Sequence, residues 1–230
     1  MDLAKPRVDV GLNTNNLEPM LAFWQEQAGA RFDHVLPISR GLQQHRHDIN
    51  GSVLKINHYR DALPERPPSG YAEVLIAHER LSAPRSLVDP DGNAVSLVPP
   101  GTLGIDQIGI RLKVRDVAAH KRFYGETLAL PEIPYPAGAA YKAAETVILF
   151  EQAADVPADA VFDGKGWRYI TFQVFKVDTE HAHAIAHGGS EGFPPRTLGE
   201  TARISMIRDP DGNWIELSQR ASITGSLAPG

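Results

Sequence analysis

The pentapeptide Asp-Pro-Asp-Gly-Asn occurs twice in the chain, at residues 89–93 and again at residues 209–213. Each copy leads into a short apolar segment that is typical of a β-strand. A turn and strand repeated in this way predict that the chain contains two related halves. The strands differ at one matching position, where Ser96 stands in the first copy and Glu216 in the second. We therefore expect function to reside where the copies differ.

Other motifs recur in the same order along the two halves. The matching pairs are Val10-Gly11-Leu12 with Ile108-Gly109-Ile110, the helical pattern at 16–26 with that at 116–126, and residues 70–74 with 166–170. Each half is thus predicted to hold two smaller units, each with strands and a helix. The exception is the second unit, because residues 79–84 are too short and too proline-bound to form a helix. We expect that unit to be truncated.

Composition places the chain among ordinary folded proteins. Its 230 residues are 42% hydrophobic and 22% charged, with a formal net charge of -5. This mild charge predicts no nucleic acid and no membrane as partner. The chain has no cysteine, and it lacks a long apolar run and a signal-like N-terminus, so we expect a cytoplasmic protein. Glycine motifs for phosphates and dinucleotides are missing, which predicts no nucleotide cofactor.

Prolines and glycines mark the linker between the two halves. Residues 99–101 read Pro-Pro-Gly and cannot continue a helix or a central strand. We therefore predict a first domain at 1–98, a linker at 99–104, a second domain at 105–220 and a loose tail at 221–230.

Four segments of the chain resemble the vicinal oxygen chelate superfamily, which includes glyoxalases, bleomycin-resistance proteins and extradiol dioxygenases. These segments are residues 106–110, 122–126, 169–174 and 209–217. The resemblance covers nearly the whole chain and implies an α+β fold. Four βαβββ-type units would form two tandem glyoxalase-like domains, each a curled mixed sheet around a pocket.

The resemblance also implies where a metal ion would bind. Metal-using members hold a divalent cation with His, Gln or Glu side chains on the opening and closing strands of their units. In the second half these places carry Gln107, Leu149, Tyr169 and Glu216. Only Gln107 and Glu216 are customary ligands, so they are the metal candidates. We expect either no metal or a weakly held divalent ion.

The first half departs further from the metal pattern. Its corresponding places are Asp9, Lys55, Glu73 and Ser96. A lysine between two carboxylates predicts an ion-paired cluster that stands in for a cation, because an ammonium group neutralises charge without ligating.

Each candidate also has a purely structural interpretation. Glu216 could be a rim carboxylate paired with Arg168 or Arg203, Tyr169 could be a wall residue, and Gln107 could bind only backbone. His45 and His47 share one face of a strand, with His58 across a hairpin that turns at Asn50-Gly51. These histidines could bind a metal, or they could be partly exposed strand residues, and the sequence leaves their role open.

Two classes of function are consistent with the sequence. The first is an enzyme of lyase, isomerase or dioxygenase type that acts on a small oxygenated or aromatic metabolite. In it Glu216 would be the base, Tyr169 the acid or oxyanion donor, and Gln107 a third polar group. The alternative is a non-catalytic small-molecule binding protein of the bleomycin-resistance type. Its aromatic walls would come from Tyr71, Tyr141, Trp167 and Trp214. Either could be a monomer or a homodimer.

Overall fold

The computed structural model describes residues 1–228 and resolves four structural units. The first comprises β1 (Asp9–Thr14), α1 (Leu17–Ala22) continued by a π-helical segment (Phe23–Gln27), β2 (Arg31–Ser39), β3 (Leu42–Ile49) and β4 (Ser52–Tyr59). The second comprises β5 (Tyr71–Ala77), β6 (Arg85–Val88) and β7 (Ala94–Val98). The third comprises β8 (Ile108–Val114), α2 (Val117–His120) continued by a π-helical segment (Lys121–Thr127), β9 (Glu132–Ile133), β10 (Ala139–Ala143) and β11 (Thr146–Gln152). The fourth comprises β12 (Gly166–Gln173), α3 (Val177–Ala186), β13 (Ser190–Leu198), β14 (Ala202–Arg208) and β15 (Trp214–Arg220).

This architecture confirms the predicted α+β class, including the truncated second unit, which has no helix between β5 and β6. The predicted helix cap and hairpin turn are both present. The Asp116 side chain caps α2 by accepting hydrogen bonds from the next helical N–H groups. Asn50 and Gly51 have positive φ values of 54° and 82°. They close the β3–β4 hairpin with a tight two-residue loop.

The strands form two mixed sheets, and each sheet takes one unit from each half of the sequence. The first sheet joins the fourth and first units in the order β13-β14-β15-β12-β1-β4-β3-β2. The second sheet joins the second and third units in the order β6-β7-β5-β8-β11-β10-β9. This differs from the expectation that each half would curl its own sheet around a pocket. Sequence repeats show which units are alike but not which units pair.

One apolar core lies between the two sheets. Alternate residues of both sheets contribute to it, such as Val10 and Ile170 from the first sheet and Ile110 and Phe150 from the second. The helices add Trp24 and other buried side chains. The face of each sheet that is turned away from this core is called its outward face below. Because side chains alternate along a strand, the residues between the core residues lie on the outward face.

The repeated pentapeptides tie the two sheets to each other. In the turn at 89–93, Asp89 Oδ1 accepts hydrogen bonds from the backbone of Asp91 and Asn93, and the turn at 209–213 repeats this pattern. Asn213 Oδ1 accepts a bond from Gly70 N at 2.7 Å, next to β5. Asn93 Oδ1 likewise accepts from Trp167 N of β12 at 3.3 Å. Each pentapeptide therefore closes a turn in one sheet, and its asparagine binds the backbone beside or within a strand of the other.

The chain after β15 begins with α4 (Ala221–Thr224), within the stretch predicted to be a loose tail. Gln219 Nε2 then donates to the carbonyl of Ser226 at 2.8 Å. Residues 229 and 230 of the predicted tail lie outside the described residues. None of the helices found in residues 1–228 has the length and apolar character needed to cross a membrane.

Candidate active site on the outward face of the first sheet

Four central strands of the first sheet place a charged cluster on its outward face. Asp9 on β1 lies opposite Thr171 on β12, and Thr171 lies beside Glu216 on β15. Lys55 reaches this group from β4, where its Nζ donates to Thr171 Oγ1 at 2.7 Å and to Glu216 Oε2 at 2.8 Å. Thr171 Oγ1 also lies 3.0 Å from the same Glu216 oxygen. These side chains come from both halves of the sequence.

Burial makes the Lys55–Glu216 pair electrostatically important. The Lys55 side chain is 4% exposed and that of Glu216 is 13% exposed. Burial lowers the pKa of Lys55, while the negative charges of Glu216 and Asp9 act in the opposite direction. In a poorly solvated site, each charge depends on its partner more than it would at the surface.

Asp9 is held by several donors of its own. Its Oδ1 accepts from Lys5 Nζ at 2.6 Å and from Val53 N at 2.8 Å. Its Oδ2 accepts from Gln173 Nε2 at 3.2 Å. Asp9 therefore contributes charge to the cluster, but its oxygens are already bound by the protein.

Tyr169 lies on the same face and packs its ring over Gly11. A Cβ atom at position 11 would lie 2.2 Å from the tyrosine ring, so this approach requires glycine. The Tyr169 hydroxyl accepts hydrogen bonds from Gln44 Nε2 at 3.3 Å and Asn57 Nδ2 at 3.2 Å. Burial and then the charge of Glu216 raise the pKa of Tyr169 above its ordinary value. The phenol is therefore a neutral group at physiological pH.

The structure brings Glu216 and Tyr169 onto one face but places Gln107 elsewhere. Gln107 precedes β8 of the second sheet, where its carbonyl accepts from Ala77 N at 2.8 Å and Asn50 Nδ2 at 3.1 Å. It lines a cavity of about 430 Å³ that also contacts Arg7. Gln107 and Glu216, the two predicted metal candidates, therefore belong to different sheets.

The register of the strands explains the position of Gln107. In the first sheet Gly11 lies beside Lys55, and in the second Arg111 lies beside Leu149. Counting back from the two helix starts gives the same match of Gly11 with Arg111, because both precede their N-cap residues by five positions. The sequence match of Gly11 with Gly109 is therefore shifted by two residues. The true counterpart of Asp9 is Gly109, not Gln107.

The cluster predicted within the first half is corrected in one respect. Lys55 and Asp9 do lie together, but Glu73 and Ser96 belong to the second sheet. There Ser96 Oγ donates to Glu73 Oε1 at 2.5 Å, and Arg111 Nε donates to Glu73 Oε2 at 2.8 Å. The carboxylate that pairs with Lys55 is Glu216, because the first unit shares its sheet with the fourth.

The structural alternatives proposed for Glu216 do not hold. Arg168 donates to backbone carbonyls, including that of Gly164 at 2.9 Å. Arg203 pairs with Asp178 at 2.5 Å. Glu216 is therefore a partner of Lys55 on the outward face and not of either arginine.

The histidines of β3 lie on the other side of that strand. His45 and His47 alternate with Gln44 and Arg46, so they lie on the opposite face of β3, where both are buried. His47 Nε2 lies 3.1 Å from Gln25 Nε2 in the π-helical segment after α1. The ring centroids of His45 and His58 are 6.4 Å apart. These residues are separate from the charged cluster.

Comparison with known proteins identifies the family. A family model described as the Glyoxalase/Bleomycin resistance protein/Dioxygenase superfamily matches residues 104–217. The chain belongs to this superfamily. The predicted resemblance to vicinal oxygen chelate proteins is confirmed.

Two solved structures illustrate that shared fold. Glyoxalase I from Zea mays is 14% identical, with a TM-score of 0.71 over 96% of this chain and 95% of that one. A candidate dioxygenase from Bacillus subtilis subsp. subtilis str. 168 is 11% identical, with a TM-score of 0.69 over 100% of this chain and 92% of that one. No curated protein matches the sequence. At these identities the likeness establishes the fold alone.

The residues of the first sheet do not fit the divalent cation that metal-using members of the superfamily hold. Asp9 and Glu216 are customary ligands, but Lys55 offers an ammonium group without a lone pair and binds Glu216 itself. Across residues 1–228, no three His, Cys, Asp or Glu side chains form a group that could hold a metal ion. Catalytic metal sites generally take about three ligands from the protein.

Sequence reasoning missed Arg46, Gln44 and Asn57 on the outward face. Arg46 lies opposite Lys55, and Gln44 lies opposite Asn57. The sequence could have predicted both pairs, because counting outward residue by residue from the predicted hairpin turn gives them directly. Arg220, two positions beyond Ser218 on β15, was also missed because it lies at the last position of its strand.

Proposed function

We propose that this chain is a small-molecule enzyme of the superfamily that transfers a proton without a metal ion, as an isomerase or lyase. The observation that carries the proposal is Lys55, whose ammonium group stands on the outward face of the first sheet where a cation would be needed. It lies 2.8 Å from Glu216, which we propose as the base.

The hydrogen bonds of Glu216 support its role as a base. Lys55 and Thr171 both bind Oε2. Within residues 1–228, no protein group donates a hydrogen bond to Oε1, so that oxygen is available to a substrate proton. The Glu216 side chain is also more exposed than that of Lys55. A positioned carboxylate of this kind is a usual general base.

Lys55 and Tyr169 are suited to stabilise the negative charge that then forms. The substrate C–H bond would break, its proton would pass to Glu216 Oε1, and the electron pair would move to a neighbouring carbonyl oxygen. Lys55 uses two of its three N–H groups on Thr171 and Glu216. Its third N–H and the Tyr169 hydroxyl can bind the oxyanion. In a substrate with a hydroxyl on the carbon that loses the proton, that hydroxyl gives its own proton to the oxyanion and becomes the new carbonyl. The proton on Glu216 then passes to the former carbonyl carbon, which completes an isomerisation without an oxidant.

The binding-protein alternative receives less support from the aromatic residues. Tyr71, Tyr141 and Trp167 are each 5% exposed or less and belong to the shared core. Trp214 donates from Nε1 to the carbonyl of Ala160 at 2.8 Å. An aromatic-walled pocket would need such rings to be open to a ligand.

The test is catalysed hydrogen exchange in D₂O. Pyruvate, phenylpyruvate and dihydroxyacetone would be incubated with protein pretreated with EDTA, and loss of the C–H signal followed by proton NMR. We expect exchange for at least one compound. Glu216→Gln should slow it by at least about 100-fold, and Tyr169→Phe by about 100-fold at most.

Glu151→Gln is the matched control, because Glu151 is an ion-paired carboxylate on the second sheet. It should exchange at the wild-type rate. No catalysed exchange with any probe, an unchanged rate in Glu216→Gln, or activity that requires an added divalent ion would overturn the proposal.

A further inference from the structure

Arg46 is a buried cation without a carboxylate partner. It is 5% exposed and lies beside Lys55 on the outward face of the first sheet. Its Nη1 donates to Gln44 Oε1 at 2.7 Å, but its Nε is buried without any hydrogen-bond partner. Among the described residues, no carboxylate lies within salt-bridge distance of it. Burying a charge without a partner is costly.

Arg220, at the end of β15, is partly buried and also has no carboxylate within salt-bridge distance among the described residues. It shares the face of Glu216, because the two lie four positions apart on the same strand. Its Nε is likewise buried without a hydrogen-bond partner in the part of the chain that is described. Burial and then the positive charge of Arg46 lower the pKa of Arg220, while Glu216 and Asp9 act in the opposite direction. Arg46 and Arg220 therefore both lie on the outward face, each with a buried Nε that donates to no described group.

The carboxylates of this face are engaged with other groups. Glu216 binds Lys55, and Asp9 binds Lys5. The face thus carries the cations Arg46, Arg220 and Lys55 against two carboxylates, one of which has its own lysine. Positive charge is left over, in a region where water is largely excluded.

We propose that the outward face of the first sheet binds the carboxylate group of a small acid between Arg46 and Arg220. The unpartnered Nε of Arg46 lies next to Nη2, and together they offer the two-donor edge that matches a carboxylate. The inference rests on the proposed function and specifies its substrates as acids that carry a carbonyl group. The bound acid would place its carbonyl end toward Lys55 and the free oxygen of Glu216.

The test measures binding rather than turnover. Pyruvate, its neutral amide pyruvamide and inorganic phosphate would be titrated into the protein by NMR. We expect pyruvate to bind at least about 10-fold more tightly than either pyruvamide or phosphate. Arg46→Gln and Arg220→Gln should each weaken pyruvate binding by about 10-fold or more, whereas Arg111→Gln on the second sheet should not change it.

Both arginine variants should fold, because each removes a positive charge that has no carboxylate partner; unchanged or higher thermal midpoints without ligand would support this. Glu216→Gln separates the two proposals, since it removes a repelling carboxylate and should keep or tighten pyruvate binding even when exchange is lost. Equal binding of pyruvate and pyruvamide, tighter binding of phosphate, or pyruvate binding that survives both arginine variants would overturn the inference.

Discussion

Lys55 on β4 of the first sheet and Leu149 on β11 of the second occupy equivalent positions, yet their surroundings are opposite in character. Lys55 lies among Thr171 and Glu216, with Arg46 on the next strand. The positions around Leu149 carry an apolar cluster, whose buried members are Leu75, Ala77, Val98, Ile105, Ala140, Val147 and Leu149. The second outward face also carries Arg111, Glu73 and Ser96. The difference between the sheets therefore lies at this one position, which is charged in the first sheet and apolar in the second.

The residues that stand four positions before Asp9 of β1 and Gly109 of β8 differ in the same way. Lys5 reaches Asp9 four positions later and binds its carboxylate at 2.6 Å. Ile105 stands at the equivalent place before Gly109, and a Cβ atom at Gly109 would lie 2.4 Å from its Cδ1. Ile105 therefore packs onto the second sheet where the first sheet has an ion pair. The duplicated unit thus tolerates either a charged or an apolar residue at these equivalent positions.

The largest effect on stability is expected when a lysine is introduced into the second sheet at the position equivalent to Lys55. Leu149→Lys would bury an ammonium group among apolar side chains, and we expect it to cost about 4 kcal/mol of the free energy of unfolding. Chemical denaturation would measure this. Adding Ser96→Glu, at the position equivalent to Glu216, should recover part of the loss.

Leu149→Met is the control for that variant, since it conserves volume and should cost less than about 1.5 kcal/mol. A Leu149→Lys protein as stable as this control would contradict the view that the apolar cluster around Leu149 cannot accommodate a charge.

Removing the lysine from the first face should have the next largest effect. Lys55→Met leaves the buried Glu216 without its salt-bridge partner, and we expect a loss on the order of 3 kcal/mol in the free energy of unfolding. The double variant Lys55→Met, Glu216→Gln should be nearly as stable as the wild type, because the unpaired carboxylate is gone. Denaturant midpoints of the three proteins give the comparison.

Lys121→Met is the matched surface control. Lys121 is 47% exposed and pairs with Glu132, so its loss should change stability by about 0.5 kcal/mol or less. If Lys55→Met behaved like Lys121→Met, the buried pair would not stabilise the fold.

The fold was predictable because its signals are local. The repeated pentapeptide, the Asn50-Gly51 hairpin and the truncated second unit each follow from a few neighbouring residues. The pairing of the first unit with the fourth was not predictable, because β1 could pair with either of two similar strands. That choice depends on contacts far apart in sequence.

The candidate site was partly predictable for the same reason. Glu216 and Tyr169 were named from the family resemblance and lie on one face of the first sheet, whereas Gln107 was misplaced by a two-residue shift between the repeats. The helix start at Asp116 marks that shift more reliably than the short apolar motif does. Arg220 could not be placed, because a residue at a strand end carries little alternation signal.

The two pentapeptide turns extend the comparison between the sheets. In the second sheet, burial raises the pKa of Asp89. The helix residue that corresponds to His120 in the other repeat is the apolar Met20. In the first sheet, Asp209 lies 3.3 Å from Nε2 of His120, which stands at the position equivalent to Met20. Burial alone would lower the pKa of His120, but Asp209, the Asp116 carbonyl and Asp211 outweigh it and raise the pKa.

The smallest expected effect is the pH dependence that this histidine adds. Because the pKa of His120 is higher in the folded protein than in the unfolded chain, its stabilisation is complete below the unfolded value of about 6.5 and is lost as the pH rises through the folded value. His120→Met copies the other repeat and should lower the free energy of unfolding by on the order of 1 to 2 kcal/mol at about pH 5.5, the range of a hydrogen bond to a charged group. At alkaline pH the deficit should shrink, because the wild type has then lost its charged pair. Urea unfolding at both pH values measures the change, and His34→Met, an exposed histidine, should give the wild-type difference. A deficit that stayed constant with pH would mean that His120 acts by packing, as Met20 does, and the two turns would then be alike.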